Sequence, residues 1–375
     1  MLFNFAYRTL LYDRGKLIAG LVGVIFSVVL VNVQGGLFFG LIGKASLLVD
    51  RGRADIWVGH QGMHNVDFPY DIPERWVYRI RSIPGVQEAQ PMRIGFSEIS
   101  LPGGGHENAM VIGLAEKSDL GKAYEIAEGP ADALTHSDGV IVDSCDALKL
   151  QSPEIGTFRE IGGKRAKIVG KSYGILSFLV TPYVFTTYDR SIQFYGGDPS
   201  MASYFLVRLE PGADAQRVCA EIRSRLKDVS AMTADEFSST SIQFWMTRTG
   251  LGLSFGAATA MGLLVGLVMV AQTLYAMVLD RISEFATLKA LGSTEREILF
   301  LLGVQSSLVA VLGIVIGFGV SFLVTILCST PRAEIQLSAN LYLASGLLVF
   351  TVCLAASAIP YWRVRQVDPH SILQG

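Results

Sequence analysis

The stretch Asp280-Arg-Ile-Ser-Glu-Phe-Ala-Thr-Leu-Lys-Ala-Leu-Gly-Ser-Thr-Glu-Arg-Glu297 decides the fold, because it is a charged segment between two long apolar runs. Its apolar side chains recur every three residues, at Ile282, Phe285, Leu288 and Leu291. Gly292 can end a helix in the left-handed conformation, and Thr294 with Glu297 forms a capping box that begins another. The stretch therefore predicts a short helix over residues 280–292, a sharp turn and a return into an apolar helix.

Four long segments of the chain carry no charged residue. They lie between Lys16 and Lys44, Arg248 and Asp280, Glu297 and Arg332, and Glu334 and Arg363. Each is longer than the roughly 20 residues that a spanning helix needs, and a charge is costly at the bilayer centre. The sequence therefore predicts transmembrane helices over residues 17–43, 253–279, 299–327 and 338–360. Only 17% of the residues are charged, whereas soluble domains carry about 25%.

Residues 44–250 contain most of the Pro-Gly and Gly-Gly pairs that mark turns. Strand-like runs occur at 54–58, 109–113, 140–142, 167–169, 182–186 and 204–209, and helical patterns occur at 73–82 and 214–227. The predicted fold is a membrane α-helical protein with four transmembrane helices and a large α+β extracytoplasmic domain inserted between helices 1 and 2. We expect two halves in this domain, at 54–113 and 203–233, with a β-rich insert at about 115–200 between them.

The segment that joins this domain to the second span also has a helical pattern. Residues 234–248 are polar and compatible with a helix, and no proline interrupts residues 235–280. Proline inside a helix removes a hydrogen bond and kinks or breaks the helix. We therefore expect one continuous helix that runs from the outer domain into the bilayer and transmits motion as a rigid lever.

Positive charges near the spans predict the orientation, because cytoplasmic loops carry an excess of Lys and Arg. Such residues lie before helix 1, between helices 2 and 3 and after helix 4, at Arg8, Arg14, Lys16, Arg281, Lys289, Arg296, Arg363 and Arg365. We expect both termini to be cytoplasmic in a multi-pass protein of a bacterial inner membrane, with residues 44–250 on the opposite side. Residues 1–16 have the pattern of an interfacial helix, and residues 361–375 form a cytoplasmic tail.

Several function classes lack the residues that they require. A net charge of −2 argues against nucleic-acid binding, and the phosphate-binding pattern GxxxxGK[ST] is absent from the sequence. The chain itself is therefore not expected to be an enzyme or to bind a cofactor. His60 and His64 have the spacing of zinc ligands on a helix, but Gln61-Gly62 lacks the Glu of a zinc protease and disfavours a helix. Whether Cys145 and Cys219 form a disulfide stays open.

Small residues at i, i+4 spacing predict close packing of the spans, at Gly36 with Gly40 and at Gly262 with Gly266. Lipid gives helices no hydrophobic drive to associate, so small residues that let backbones approach are important. The pattern does not distinguish packing within one chain from a dimer contact. Gln34 is predicted to hydrogen-bond between helices, as is Gln272.

Four aromatic residues of the outer domain have two possible roles. They are Trp57, Phe68, Tyr70 and Trp76. Aromatic side chains near a membrane serve as interface anchors, and they also pack in domain cores. The sequence leaves open whether these four contact a partner or a lipid.

Two motifs near the spans resemble those of a known superfamily. Glu284-Phe-Ala-Thr-Leu-Lys-Ala-Leu-Gly-Ser resembles the E-(I/F)-x-x-(L/M)-(K/R)-A-(L/V/I)-G-A signature of the FtsX-like ABC permeases, which include the MacB-type exporters. The tail is similar to the family ending P-A-x-R-A-x-x-x-D-P-x-x-A-L, with Asp368 and Pro369 in register. Tyr361 and Val364 depart from that ending.

The layout of the whole chain is also similar to that superfamily, with residues 44–250 as a MacB-like periplasmic core domain and residues 251–375 as an FtsX-like domain. The chain length looks most like that of the DevC permeases, as do Gln34, Gly36 and Phe38 in helix 1.

The resemblance implies a homodimeric permease docked on a separate cytoplasmic ABC ATPase, which binds ATP and Mg. The 280–292 helix would be the coupling helix against that ATPase, through Arg281, Glu284, Phe285, Lys289 and Gly292. ATP hydrolysis would then reshape the outer domain, which is mechanotransmission, and drive export of a lipid, glycolipid or hydrophobic compound. DevC-like systems also imply a periplasmic adaptor (a membrane fusion protein) and an outer-membrane duct.

Two other functions fit the same layout. One is a membrane-anchored regulator or scaffold of a periplasmic partner, since some members of the superfamily regulate hydrolases. The other is a lipoprotein-releasing permease, which would differ in what the outer domain binds. The sequence does not identify the transported substrate.

Overall fold

The computed structural model describes residues 14–130, 132–135, 139–280, 287 and 293–365. It divides the chain into two compact units. One holds Met1–Gly40 and Gly252–Gly375, and the other holds Leu41–Leu251. We call them the helical unit and the outer unit.

The described helices account for all of the predicted spans. In chain order they are α1 (Arg14–Ile42), α2 (Leu47–Asp50), α3 (Trp76–Arg81), α4 (Tyr188–Tyr195), α5 (Ala215–Arg225), α6 (Ala234–Arg248), α7 (Leu251–Asp280), α8 (Glu295–Cys328), α9 (Ala339–Ala356) and α10 (Ala358–Arg365). Within the described ranges, four segments are long and apolar enough to cross a membrane: Arg14–Ala45, Leu251–Asp280, Glu295–Cys328 and Ala339–Trp362. The prediction of four transmembrane helices is confirmed, as is the large domain between the first two.

The helical unit packs around α1. A buried apolar cluster joins all four spans and contains Val24, Val28, Val270, Leu274, Val309 and Val349. Two glycines of α8 permit the close approach of α1, because a Cβ at Gly313 would lie 2.6 Å from Val24 and a Cβ at Gly317 would lie 2.8 Å from Val28. Larger residues at these positions would push the two helices apart.

The outer unit is built on a mixed ten-stranded sheet. The strands are β1 (Ile56–His60), β2 (Ile72–Pro73), β3 (Val86–Ser100), β4 (His106–Leu114), β5 (Ile126–Glu128), β6 (Gly139–Asp143), β7 (Phe158–Ile161), β8 (Lys164–Ser172), β9 (Tyr183–Thr187), β10 (Met201–Ala202), β11 (Tyr204–Leu209) and β12 (Val229–Thr233). The main order is β12-β1-β11-β3-β4-β9-β6-β8-β5, with β7 beside β3 and β8, and β2 pairs with β10 in a separate small sheet. Only the β4–β9 and β6–β8 pairs are parallel among these described strands.

The long strand β3 joins the two halves of the sheet. Its first part, Val86 to Met92, pairs with β11, and its second part, Arg93 to Ser100, pairs with β4. All predicted strands and helices of this domain overlap observed ones, but the longest strand, β3, was not among the predicted strands, and neither were the short strands β2, β5, β7, β10 and β12. Pro91 and Gly95 interrupt the pattern of β3, and both residue types lower strand propensity. Gly95 is needed because a Cβ there would lie 2.3 Å from the Tyr195 ring on α4.

A buried arginine ties β3 to the small sheet. Arg93 is buried, and its Nε donates to the Met201 carbonyl at 3.0 Å while its Nη1 donates to the Tyr188 carbonyl at 3.2 Å. The guanidinium carbon lies 3.9 Å from the centroid of the Tyr188 ring. An ion pair of 3.3 Å joins it to Glu74. These contacts satisfy a charge that would otherwise be costly to bury.

The prediction of a continuous lever helix through residues 234–280 is wrong. Helix α6 ends at Arg248 and α7 begins at Leu251. Between them Gly250 has φ +70°, which is the left-handed region that glycine adopts at little cost. The absence of proline was not enough to predict continuity, because a glycine ends the helix instead.

Candidate functional site

The predicted coupling residues Arg281, Glu284, Phe285, Lys289 and Gly292 lie outside the described residues, as do Asp368 and Pro369 of the tail. The structure describes the two helix ends that flank residues 281–292. One is the end of α7 at Asp280, and the other is the start of α8 at Glu295. The contacts of these two ends therefore define what the segment is attached to.

The α7 end is attached to the beginning of α1. The ammonium group of Lys16 donates to the Asp280 carboxylate, and the two side chains form an ion pair. Lys16 lies in the first turn of α1, and Asp280 is the last residue of α7. This ion pair connects two different spans of the helical unit.

The α8 end begins with the predicted capping box, which is confirmed. The Thr294 backbone NH donates to Glu297 Oε2 at 2.8 Å, and the Glu297 NH donates to Thr294 Oγ1 at 3.4 Å. Glu295 also accepts a hydrogen bond of 3.1 Å from the Tyr361 hydroxyl and pairs with Arg365 Nε at 3.6 Å. A capped and doubly contacted first turn fixes the start of α8 against α10.

An apolar cluster lies beneath these polar contacts. It contains Val278 of α7, Ile298, Leu301 and Leu302 of α8, and Val364 of α10. All of these side chains are buried. Three helices therefore meet where residues 281–292 begin and end, and a displacement of that segment would act on all three.

The four predicted packing glycines all face residues of the same chain. A Cβ at Gly262 would lie 2.0 Å from Leu30, and one at Gly266 would lie 1.9 Å from Ser27 Oγ, both on α1. The Ser27 hydroxyl also donates to the Gly262 carbonyl at 3.0 Å. A Cβ at Gly36 would lie 2.6 Å from Ile335, and one at Gly40 would lie 1.9 Å from the Glu334 carbonyl.

A further buried hydrogen bond between spans involves Asn32, a residue that was not among the predicted packing residues. Asn32 is fully buried on α1, and its Oδ1 accepts a hydrogen bond of 3.0 Å from Ser345 of α9. Gln34 is only half-buried, and Gln272 is exposed on the surface of α7. Asn32 lies four residues after Val28, which faces Gly317. The signal available in the sequence was a strongly polar side chain inside an apolar span, because such residues hydrogen-bond between membrane helices.

A buried carboxyl lies under a loop of the outer unit. Asp67 is almost completely buried and accepts a hydrogen bond of 3.3 Å from the Tyr183 hydroxyl at Oδ1. Among the described residues its Oδ2 has no hydrogen-bond partner. Burial raises the pKa of Asp67 to about 7, although the Tyr183 hydrogen bond opposes this shift. The group therefore titrates near neutral pH.

The aromatic residues of the outer domain separate into two groups. Trp57 is fully buried in the core beside Tyr204 and Phe237, so a role for it in surface contacts is wrong. Trp76 is half-buried on α3. Phe68 and Tyr70 are exposed. The sequence could not separate them, because burial depends on which strands pair around each residue.

The two cysteines of the outer unit are free thiols. Cys219 lies on α5 with its side chain buried in the core, and burial raises its pKa to about 11. Cys145 is partly exposed next to β6. The structure therefore contains no disulfide between them.

Two family models match the chain. The MacB-like periplasmic core domain matches residues 19–225, and the FtsX-like permease C-terminal domain matches residues 256–369. The first model covers more than half of the chain. The second contains the 281–292 segment and the helix ends that flank it.

Three relatives of the chain are named as ABC transporter permeases. An uncharacterized ABC transporter permease of Mycobacterium tuberculosis (strain H37Rv) is 23% identical over 382 aligned residues and matches 99% of both chains. The protein of strain CDC 1551 gives the same figures. An uncharacterized ABC transporter permease of Methanocaldococcus jannaschii is 26% identical over 172 residues, which are 44% of this chain and 42% of that protein.

Two solved structures to which the chain is similar are a periplasmic region and an extracellular domain of transporters. The periplasmic region of MacB from Actinobacillus actinomycetemcomitans is 12% identical, with a TM-score of 0.39, and the match covers 50% of this chain and 92% of that one. The extracellular domain of the noncanonic ABC-type transporter YknZ from Gram-positive bacteria is 11% identical, with a TM-score of 0.36. That match covers 48% of this chain and 98% of the other.

Proposed function

The chain belongs to the MacB/FtsX-type ABC transporter permeases, a family of non-catalytic membrane subunits, and on that premise we propose that it converts ATP hydrolysis by a separate cytoplasmic ATPase into a change of shape of its outer unit. ATP and Mg would bind to that ATPase and not to this chain. The change of shape would drive export of a lipid, glycolipid or hydrophobic compound. Residues 281–292 would form the contact with the ATPase.

The observation that carries the proposal is the attachment of residues 281–292 at both ends. Asp280 is paired with Lys16 on α1, while Glu295 contacts Tyr361 and Arg365 on α10. A partner that moved this segment would therefore move α1, α7, α8 and α10 together. The buried cluster of Val278, Ile298 and Val364 supports this more strongly than the ion pairs do, because an exposed ion pair is worth only about 0–1 kcal/mol.

The proposal includes an orientation and further partners. Both termini would be cytoplasmic, in a bacterial inner membrane, with the outer unit in the periplasm. The permease would work as a homodimer, and the DevC-like features of helix 1 favour a periplasmic adaptor and an outer-membrane duct. The tail motif at Asp368 and Pro369 would lie on the same side as the ATPase.

Charge reversal in the coupling segment tests the proposal. In Glu284→Lys, the full chain should still insert in the membrane but should lose most of its co-purifying ATPase. It should also lose most of its stimulation of ATP hydrolysis, since residues 281–292 are proposed to bind the partner. The measurement is affinity purification from membranes, followed by ATPase assays on the reconstituted complex. Glu334→Lys is the matched control, because Glu334 is an exposed glutamate on the segment between α8 and α9.

Two outcomes would contradict the proposal. Wild-type chain that purifies from membranes with no ATPase would remove the source of energy. Full ATPase stimulation by Glu284→Lys would show that residues 281–292 do not transmit the signal. Co-purification of a cell-wall hydrolase instead of an exporter's adaptor would favour the regulator.

A further inference from the structure

Two exposed aromatic side chains of the outer unit, Phe68 and Phe96, contact each other, and Phe68 contacts the buried Trp245. A third exposed ring, Tyr70, lies two residues after Phe68 in the same loop and contacts His60. Phe68, Tyr70 and Phe96 are 44%, 58% and 45% exposed. The Phe68 ring centroid lies 5.9 Å from that of Phe96 and 6.0 Å from that of Trp245. We call Phe68, Tyr70 and Phe96 the aromatic patch. Exposed aromatic rings that lie together usually mark a contact site, because leaving them in water is unfavourable.

The patch lies where the chain enters and leaves the outer unit. Trp245, which contacts Phe68, is buried in a cluster with Ile42, and Leu41 and Leu251 pack against the same cluster. The first two predicted spans are directly continuous with Leu41 and Leu251. The aromatic patch is therefore at the end of the outer unit from which the chain continues into the bilayer.

The loop that carries the patch is held in a fixed conformation. The Tyr204 hydroxyl donates to the Asn65 carbonyl at 2.9 Å, and the Phe68 NH donates to Asn65 Oδ1 at 2.8 Å. The Tyr183 hydroxyl donates to Asp67, the residue before Phe68. The rings are thus presented outward by a loop whose polar groups are tied to the sheet. Little conformational freedom would be lost on binding.

We propose that the aromatic patch inserts into the headgroup region of the outer leaflet and seats the outer unit on the membrane surface. Tyr is enriched at membrane–water interfaces, and Phe is among the residues that interfacial segments bury at the boundary between headgroups and acyl chains. The acidic residue Asp71 follows Tyr70 directly, so the contact rests on the rings and not on attraction to anionic lipid. Binding should therefore be similar for zwitterionic and anionic bilayers.

Site-specific quenching by lipid tests this contact. The full chain with Cys145→Ser and Cys328→Ser, which leaves the buried Cys219 and Cys353, is given a fluorophore at Tyr70→Cys. It is reconstituted in phosphatidylcholine nanodiscs that contain a lipid with a nitroxide near the headgroup. We expect the label at position 70 to be quenched several-fold more strongly than a label at Tyr78→Cys. Tyr78 is the matched control, because it is 67% exposed on α3.

The outcomes separate the membrane from other occupants of the patch. Strong quenching at position 70 in pure phosphatidylcholine, reduced by Phe68→Ser in the same background, supports the membrane contact. Equal quenching at positions 70 and 78 overturns it. Quenching at position 70 that appears only after a second protein or an apolar cargo is added also overturns it. None of these measurements requires the ATPase, so the result is independent of the proposed function.

Discussion

Replacing Asp67 with Asn is expected to remove a pH dependence from the stability of the outer unit. In the folded protein burial raises the pKa of Asp67 to about 7, from an ordinary value of 3.8. Its proton is therefore bound more tightly in the folded state than in the unfolded chain, and folding is favoured as the pH falls from about 7 toward 4. This stabilisation is lost as the pH rises through the folded-state pKa.

The size of the effect follows from the pKa. At pH 8 the carboxyl of Asp67 is almost fully ionised, and pH 5 lies about two units below its folded-state pKa of about 7. Each unit below that pKa stabilises the folded state by about 1.36 kcal/mol. The wild type should gain about 2.7 kcal/mol from this group. For a unit of about 200 residues, 1 kcal/mol shifts the Tm by about 2–4 °C. The Tm of the wild type should therefore rise by about 5–11 °C relative to Asp67→Asn over this range.

The assay is thermal unfolding of the full chain in nanodiscs, followed by near-UV circular dichroism at several pH values. Asn keeps an oxygen that can accept the Tyr183 hydrogen bond, so the variant changes the charge and little else. Asp189→Asn is the control, because Asp189 is exposed in the first turn of α4, and its curve should run parallel to that of the wild type. If the wild type and Asp67→Asn also gave parallel curves, the buried carboxyl would not titrate as argued.

Two substitutions test the packing of the separate units. Gly266→Val should separate α1 from α7, because a Cβ there already lies 1.9 Å from Ser27 Oγ. We expect a loss of about 1–3 kcal/mol in detergent unfolding, with Gly256→Val, which faces open space, close to wild type. Arg93→Met should destabilise the outer unit by about 1–3 kcal/mol for each buried carbonyl left without a donor. Urea unfolding measures this loss, and Arg75→Met, at an exposed arginine, should leave the midpoint unchanged.

The features that the sequence predicted well are local ones. A transmembrane span is defined by the length of an apolar segment, so the four long uncharged segments were enough to identify all four spans. The capping box at Thr294 and Glu297 depends on residues three apart, and the structure contains both of its hydrogen bonds. The features that were missed depend on partners distant in the sequence. β3 is a strand because β11 and β4 pair with it, and Trp57 is buried because Tyr204 and Phe237 pack on it.

The failed prediction of one helix through α6 and α7 leaves two helices, α1 and α7, that continue without a break from residues of the helical unit to residues of the outer unit. A helix transmits displacement along its axis only where its hydrogen bonds continue, and Gly250 ends that continuity between α6 and α7. Helix α1 remains helical from Arg14 to Ile42, and Ile42 is buried in the cluster of the outer unit that contains Trp245. At its other end α1 carries Lys16, which is paired with Asp280 beside the coupling segment. If residues 281–292 receive a displacement from an ATPase, we therefore expect α1 and α7, and not a continuous α6–α7 helix, to transmit it toward the outer unit.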